Sequence, residues 1–237
     1  MVDILAFGVH PDDVELSCAG TLLKHIAAGH TVGIIDLTKG EMGTRGTGEI
    51  RLKEAAAAAK ILGVTFRENL EMDDAFFQND KVHQFKIIES IRQYRPKIVI
   101  CNAISDRHPD HGRASKLVSD SCFYSGLGKL ETACDKEIQM PWRPKAVYHY
   151  IQDRFMKPDF VVDVTPFVEK KFESILAYSS QFYDPNSKEP STPISSPEFL
   201  ETVKSKMRVW GRDIQVEFAE GFTVERNMGV EDLMKLI

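Results

Sequence analysis

Cysteine is scarce: 237 residues hold four, Cys18, Cys101, Cys122 and Cys134, and none forms a C-x-x-C pair. That speaks against a disulfide framework and makes reduced thiols in a cytoplasmic protein the simplest expectation, with Cys18 as a helix core residue. Positive charge is also short, with 30 Lys and Arg against 35 Asp and Glu and a net charge of -5. A nucleic-acid partner usually needs a basic face, so none is expected. No apolar run reaches the ~18 residues that would suggest a membrane span. The N-terminus lacks a basic n-region and a small-residue cleavage site, so it reads as the approach to a first strand. Low-complexity tracts, internal repeats and linkers are missing too. One domain over residues 1–237 is therefore expected, large enough to bury a core without a staple.

What is present is alternation. Short apolar runs at residues 4–9, 31–37, 64–70 and 97–102 read as buried strands. Between them, helical spacing covers residues 16–28, ended by Gly29, and 49–62, ended by Gly63, with an amphipathic stretch at 82–94 and another helix at 112–123. Further strands are expected at 146–152 and 160–164, helices at 166–178 and 197–212, a Pro- and Ser-rich loop at 184–197, and a short terminal segment at 218–224. Strands alternating with helices of this length predict an α/β fold, a Rossmann-like, doubly wound, mostly parallel sheet with helices on both faces.

In such sheets ligands bind beyond the carboxyl ends of the strands, where strand order reverses. Two of these ends carry dense polar clusters: His10-Pro11-Asp12-Asp13-Val14-Glu15 after the first strand, and Ser105-Asp106-Arg107-His108-Pro109-Asp110-His111 after the fourth. Two imidazoles and one carboxylate with a position left open form a common catalytic zinc set, and His10, Asp13 and His111 can supply it. Such an ion polarises an acyl oxygen and lowers the pKa of bound water to about 7. Asp12, beside a ligand, is placed to take that water's proton. His108 is then the acid, or the cation that steadies an oxyanion, with Asp110 to orient its ring. Asp12 and Asp13 also suit a plain helix start. The glycine-rich segment 40–48 has no P-loop ending and reads as a loop at the crevice rim, followed by Arg51.

These strings, with Gly20-Thr21-Leu22 after the first, resemble the two metal motifs of the PIG-L/LmbE family of zinc deacetylases. Asp36-Leu37-Thr38, the stretch around Lys53-Glu54-Ala55-Ala56, Pro158-Asp159-Phe160-Val161 and Ser180-Gln181-Phe182 extend the likeness. The pattern is most similar to the bacillithiol-pathway deacetylases, which act on N-acetylglucosaminyl malate; Val14, where the family often has Glu, fits that branch. The resemblance implies His10, Asp13 and His111 as zinc ligands, Asp12 as general base, His108 as acid or oxyanion stabiliser with Asp110 behind it, and Arg51 near the sugar. It implies a small amino-sugar substrate and a homo-oligomer, a hexamer being the candidate stoichiometry. Malyl carboxylates would need local cations, for which Arg51, Arg107 and Arg143 are the candidates. Fe²⁺ is the other ion that such a donor set accepts. Two competing functions use the same residues differently: a non-haem iron oxygenase with a two-His, one-carboxylate triad, and a non-catalytic Rossmann-type sugar- or nucleotide-binding domain. The first sits badly with the βα alternation, and the second leaves Asp12 and His108 without a role.

Overall fold

The computed structural model describes residues 1–134 and 136–235. Its centre is a seven-stranded sheet in the order β3-β2-β1-β4-β7-β9-β8, made of β1 (Ile4–Gly8), β2 (Val32–Asp36), β3 (Phe66–Asn69), β4 (Ile98–Cys101), β7 (Ala146–Tyr150), β8 (Phe160–Asp163) and β9 (Ala219–Val224). The first five in that order run parallel; β9 pairs antiparallel with both β7 and β8. Strand order reverses between β1 and β4, so the clusters that follow these two strands open on one crevice. A separate hairpin, β5 (Ala133–Cys134) with β6 (Glu137–Ile138), was not foreseen.

Period-two alternation in β1 divides the core. Leu5 and Phe7 face one side, where they pack with Ile87 and Ile91 of α3 (Lys81–Tyr94) and Leu117 and Val118 of α4 (Pro109–Tyr124). Ile4 and Ala6 face the other, against Val14, Cys18 and Leu22 of α1 (Asp13–Ala27), with Leu62 at the end of α2 (Gly48–Leu62). Both faces are covered, which is why β1 and β2 are buried along their whole length and read as unbroken apolar runs. The expected doubly wound α/β architecture is the one observed.

Two boundaries moved in a way that matters. Apolar periodicity begins at Leu16, but α1 starts at Asp13, because the turn at Pro11 and Asp12 already sets the first helical residues. Likewise α4 begins at Pro109, with His108 as its N-cap, whose Nδ1 accepts the Asp110 backbone N–H. Both site clusters are thus strand-to-helix junctions.

The larger difference is residues 218–224. Expected as a short terminal segment, they form β9 and insert between β7 and β8. Glu220 secures the insertion. Its buried carboxylate accepts the Gly20 and Thr21 N–H groups of α1 at 2.9 and 2.7 Å and pairs with Lys171 Nζ at 2.8 Å. Lys171 belongs to α5 (Val168–Leu176), is fully buried, and also donates to Leu16 O. Removing one partner of such a pair leaves an uncompensated interior charge. Lys171→Ala is expected to lower unfolding free energy by roughly 3–5 kcal/mol, measured by denaturant titration; a loss below about 1 kcal/mol would show the pair to be dispensable.

Candidate metal centre

Four strand ends supply the site. The β1–α1 junction brings His10, Asp12 and Asp13, and the segment after β4 brings Asp106, His108 and His111. The segment after β3 brings Asp74, and the one after β7 brings Gln152. The ligand atoms of His10, Asp13 and His111 all lie within 4.8 Å of one another, a spacing that can hold a metal ion. His10, Asp12, Asp13, Arg51, His108 and His111 all border a cleft of about 310 Å³.

Second contacts assign the imidazole tautomers. His111 Nδ1 lies 2.6 Å from Asp106 Oδ2, which keeps a proton on Nδ1 and turns Nε2 toward Asp13 Oδ1 at 3.2 Å. His10 Nε2 lies 3.0 Å from Asp74 Oδ1, which places its proton there and leaves the Nδ1 lone pair free for an ion. Each ring is therefore held by a carboxylate on its far side, the arrangement that orients and strengthens histidine ligands. Burial works against ionisation of Asp74 and Asp106, but the bonds to His10 and His111 hold both carboxyls down, at about 2. Burial likewise opposes the charge on Asp13, yet His111 and His10 hold it well below the usual range. Desolvation disfavours a charged His111, but Asp13 and Asp106 together raise it to about 10. This is a pocket whose surplus negative charge calls for a cation. The donor set, two imidazole nitrogens and a carboxylate, fits a divalent transition ion, whose binding would displace the proton on His111 Nε2.

A second triplet, His10, His108 and Asp110, has similar spacing. It is the poorer set, since Asp110 Oδ1 is bound by Arg113 at 2.9 Å and Oδ2 by the Ala75 N–H at 3.1 Å. The same bonds answer the expectation that Asp110 orients His108. Its carboxylate is engaged elsewhere, and its backbone N–H touches the ring instead, at 3.3 Å. An Nδ1 that accepts must be unprotonated, so the neutral ring carries its proton on Nε2. Burial, followed by the nearby His10 and His111, pulls His108 below its ordinary pKa and favours that neutral form.

Asp12 is nearly fully buried, at 4% exposure, and sits at φ 132°, a conformation that non-glycine residues rarely adopt and that costs about 1–3 kcal/mol. Arg51 holds it there, with Nη2 2.9 Å from Asp12 Oδ2 and 2.5 Å from Pro11 O. Gly40 makes room, since a Cβ there would collide with Arg51 Nη1. Burial raises the Asp12 carboxyl to about 7, with Arg51 pulling the other way. Arg51, expected at the sugar, is thus bound first to Asp12. Arg107 borders the cleft, its Nε 2.6 Å from Asp153 Oδ2. Arg143 does not border it: it stacks on Phe123 and donates to Phe123 O, because Trp142 and its neighbours pack at the far end of α4.

Sequence reading passed over Asp74, Asp106, Asn102 and Gln152. Asp106 stood inside the quoted cluster, and the Asp73-Asp74 pair after β3 was a third acidic strand end of the same kind. Gln152 and Asn102 carried no such mark.

Fold and site together define an α/β protein with a candidate metal centre at the switch point of its sheet. Residues 5–122 match the PIG-L family, described as GlcNAc-PI de-N-acetylase, and the chain belongs to that family. It is 30% identical over 190 residues to the diacetylchitobiose deacetylase of Thermococcus kodakarensis, covering 76% of this chain and 70% of that one. It is 23% identical to the 4-oxalmesaconate hydratase of Pseudomonas putida, over 75% of this chain and 73% of the other. Among solved structures, a conserved protein of Thermus thermophilus superposes with a TM-score of 0.86 at 35% identity, covering 98% of each chain.

Because Asp74 and Asp106 each fix one histidine, Asp74→Ala and Asp106→Ala are each expected to weaken binding of a divalent ion roughly 10- to 100-fold. Competition with a chromogenic chelator measures this, and unchanged affinity in both variants would remove them from the centre.

Proposed function

We propose that the protein is a zinc-dependent N-deacetylase of an amino-sugar conjugate, with N-acetylglucosaminyl malate as the leading candidate substrate. One observation carries the reading: a strained, buried carboxylate, Asp12, is held beside three converging ligand donors at the base of a cleft. Membership of the PIG-L family and the names of its deacetylase relatives support it. The malyl group rests on the motif likeness to the bacillithiol branch. Zinc is chosen because two imidazoles, one carboxylate and an open position suit it, and Fe²⁺ would accept the same donors.

A bound ion supplies Lewis acidity to the acetyl carbonyl and to the attacking water. The chain's own groups do the rest. Asp12, with a carboxyl raised to about 7, is poised to take a proton at neutral pH, and Arg51 keeps it aimed. His108 offers an Nε2 proton from a neutral ring, which suits it to bond a developing oxyanion.

The hydratase relative raises one other use of the same groups, addition of water to a carbon–carbon double bond. The two are separated by product, since only deacetylation frees an amine.

With purified protein, N-acetylglucosaminyl malate should release free amine and acetate, chelation should abolish the reaction, and zinc should restore it. No amine from any N-acetyl sugar, or full activity after chelation, would overturn the reading. Asp12→Asn should keep its metal and fold yet lose roughly 10²- to 10⁴-fold in kcat. Arg51→Lys loses the planar guanidinium whose Nη2 reaches both Asp12 Oδ2 and Pro11 O. Its effect is expected in kcat more than in KM, and a pure KM effect would return Arg51 to the substrate.

A further inference from the structure

The far wall of the cleft is one face of α6 (Phe199–Asp213), formed by Phe199, Val203, Lys206, Met207 and Trp210. Their spacing of three and four residues is that of a single helical stripe. In it Lys206 is the only charged group. Its Nζ donates to the backbone carbonyls of Gln152 and Asp153, the second at 3.0 Å, and among the described residues it forms no ion pair. The carboxylates nearest to it are already committed. Asp153 Oδ2 is 2.6 Å from Arg107 Nε, and Asp106 Oδ2 is 2.6 Å from His111 Nδ1. An ammonium has three protons to give, and one remains.

Other unfilled groups on these walls lean the same way. Among the described residues, the indole N–H of the buried Trp210 has no acceptor, and the Arg51 Nε–H is likewise unmatched. Thr192 adds a hydroxyl without a partner. The α6 side of the cleft thus offers Lys206 as its charged donor, with the Trp210 indole in the same stripe. Arg107, tied through Nε, keeps its two terminal nitrogens for the same corner. Burial pulls the Lys206 ammonium below its ordinary range, while the charges of Asp153 and Asp106 oppose the shift.

We infer that Lys206 is a specificity-determining residue that receives a carboxylate carried by the substrate's aglycone, with Arg107 beside it; this rests on the amino-sugar reading above. A neutral aglycone would cover the ammonium without answering its charge. A carboxylate would take the third proton and the terminal nitrogens of Arg107. Selection for an anionic conjugate then comes from Lys206 of α6 with Arg107, and not from Arg51 or Arg143.

The test uses two synthetic N-acetylglucosaminides of nearly equal shape, one with a carboxymethyl aglycone and one with a carbamoylmethyl aglycone. Wild-type protein should favour the carboxylate in kcat/KM by roughly 10- to 100-fold, the usual scale for a hydrogen bond to a charged group. Lys206→Gln keeps donors for the two carbonyls but removes the charge, so the preference should collapse, mainly through KM. Lys206→Arg should retain most of it. Melting temperature and metal content of each variant control for folding. A wild type that does not discriminate would overturn the inference, and so would a Lys206→Gln variant in which both substrates fall equally. If neither probe is hydrolysed, the deacetylase reading is decided by the other N-acetyl sugars, independently of the anion site. Calorimetric binding of the same two glycosides then decides the anion site: a preference for the carboxylate that Lys206→Gln removes sustains it, and equal binding ends it.

Discussion

The Asp13 carboxylate ties the carboxyl ends of three strands together. Its Oδ2 accepts the N–H groups of Val9 and His10, both at 3.0 Å, and the side-chain amide of Asn102 at 3.0 Å. Its Oδ1 accepts from Gln152 at 3.0 Å and faces His111. A buried carboxylate costs several kcal/mol in lost hydration, and only a full set of donors offsets that cost. The β1, β4 and β7 ends must therefore keep their register for the charge to be tolerated. The group that can bind a metal is also the one that fastens the crevice together.

Around that hub the structure layers its charges by distance. Asp74 and Asp106 stand behind the two histidines, so each ring reaches inward through one defined nitrogen. Arg51 stands behind Asp12 and holds a backbone conformation that would otherwise relax. Farther out, Arg67 bridges Asp36 at 2.7 Å and pairs with Glu15, whose carboxylate also accepts from Tyr178 at 3.2 Å. That network fixes the first turn of α1 against β2, β3 and the segment that follows α5. A buried carboxylate can be kept strained because its surroundings are over-determined.

Arg51 and Arg143 show why the roles of charged residues are hard to assign from position in the chain. Both lie near motif loops, yet Arg51 is drawn to a buried acid and Arg143 to an aromatic face. Which anion an arginine meets is a matter of packing. Lys206, far beyond the second motif and within an ordinary amphipathic pattern, reaches the cleft only because β9 carries α6 back across the sheet.

Local pattern determined the alternation of strands and helices, the doubly wound class, and the two polar clusters that face one crevice. Those features rest on short-range physics: apolar periodicity, glycine at helix ends, and polar residues following a buried strand. The pairing of β9 between β7 and β8, the tautomers of His10 and His111, the partner of Arg51 and the second carboxylates were decided by tertiary contact. Each depends on groups far apart in sequence: Glu220 with Gly20, His10 with Asp74, Arg51 with Asp12. A carboxylate in the chain carries no mark of which donor will find it, since burial and the approach of a particular strand end make that choice.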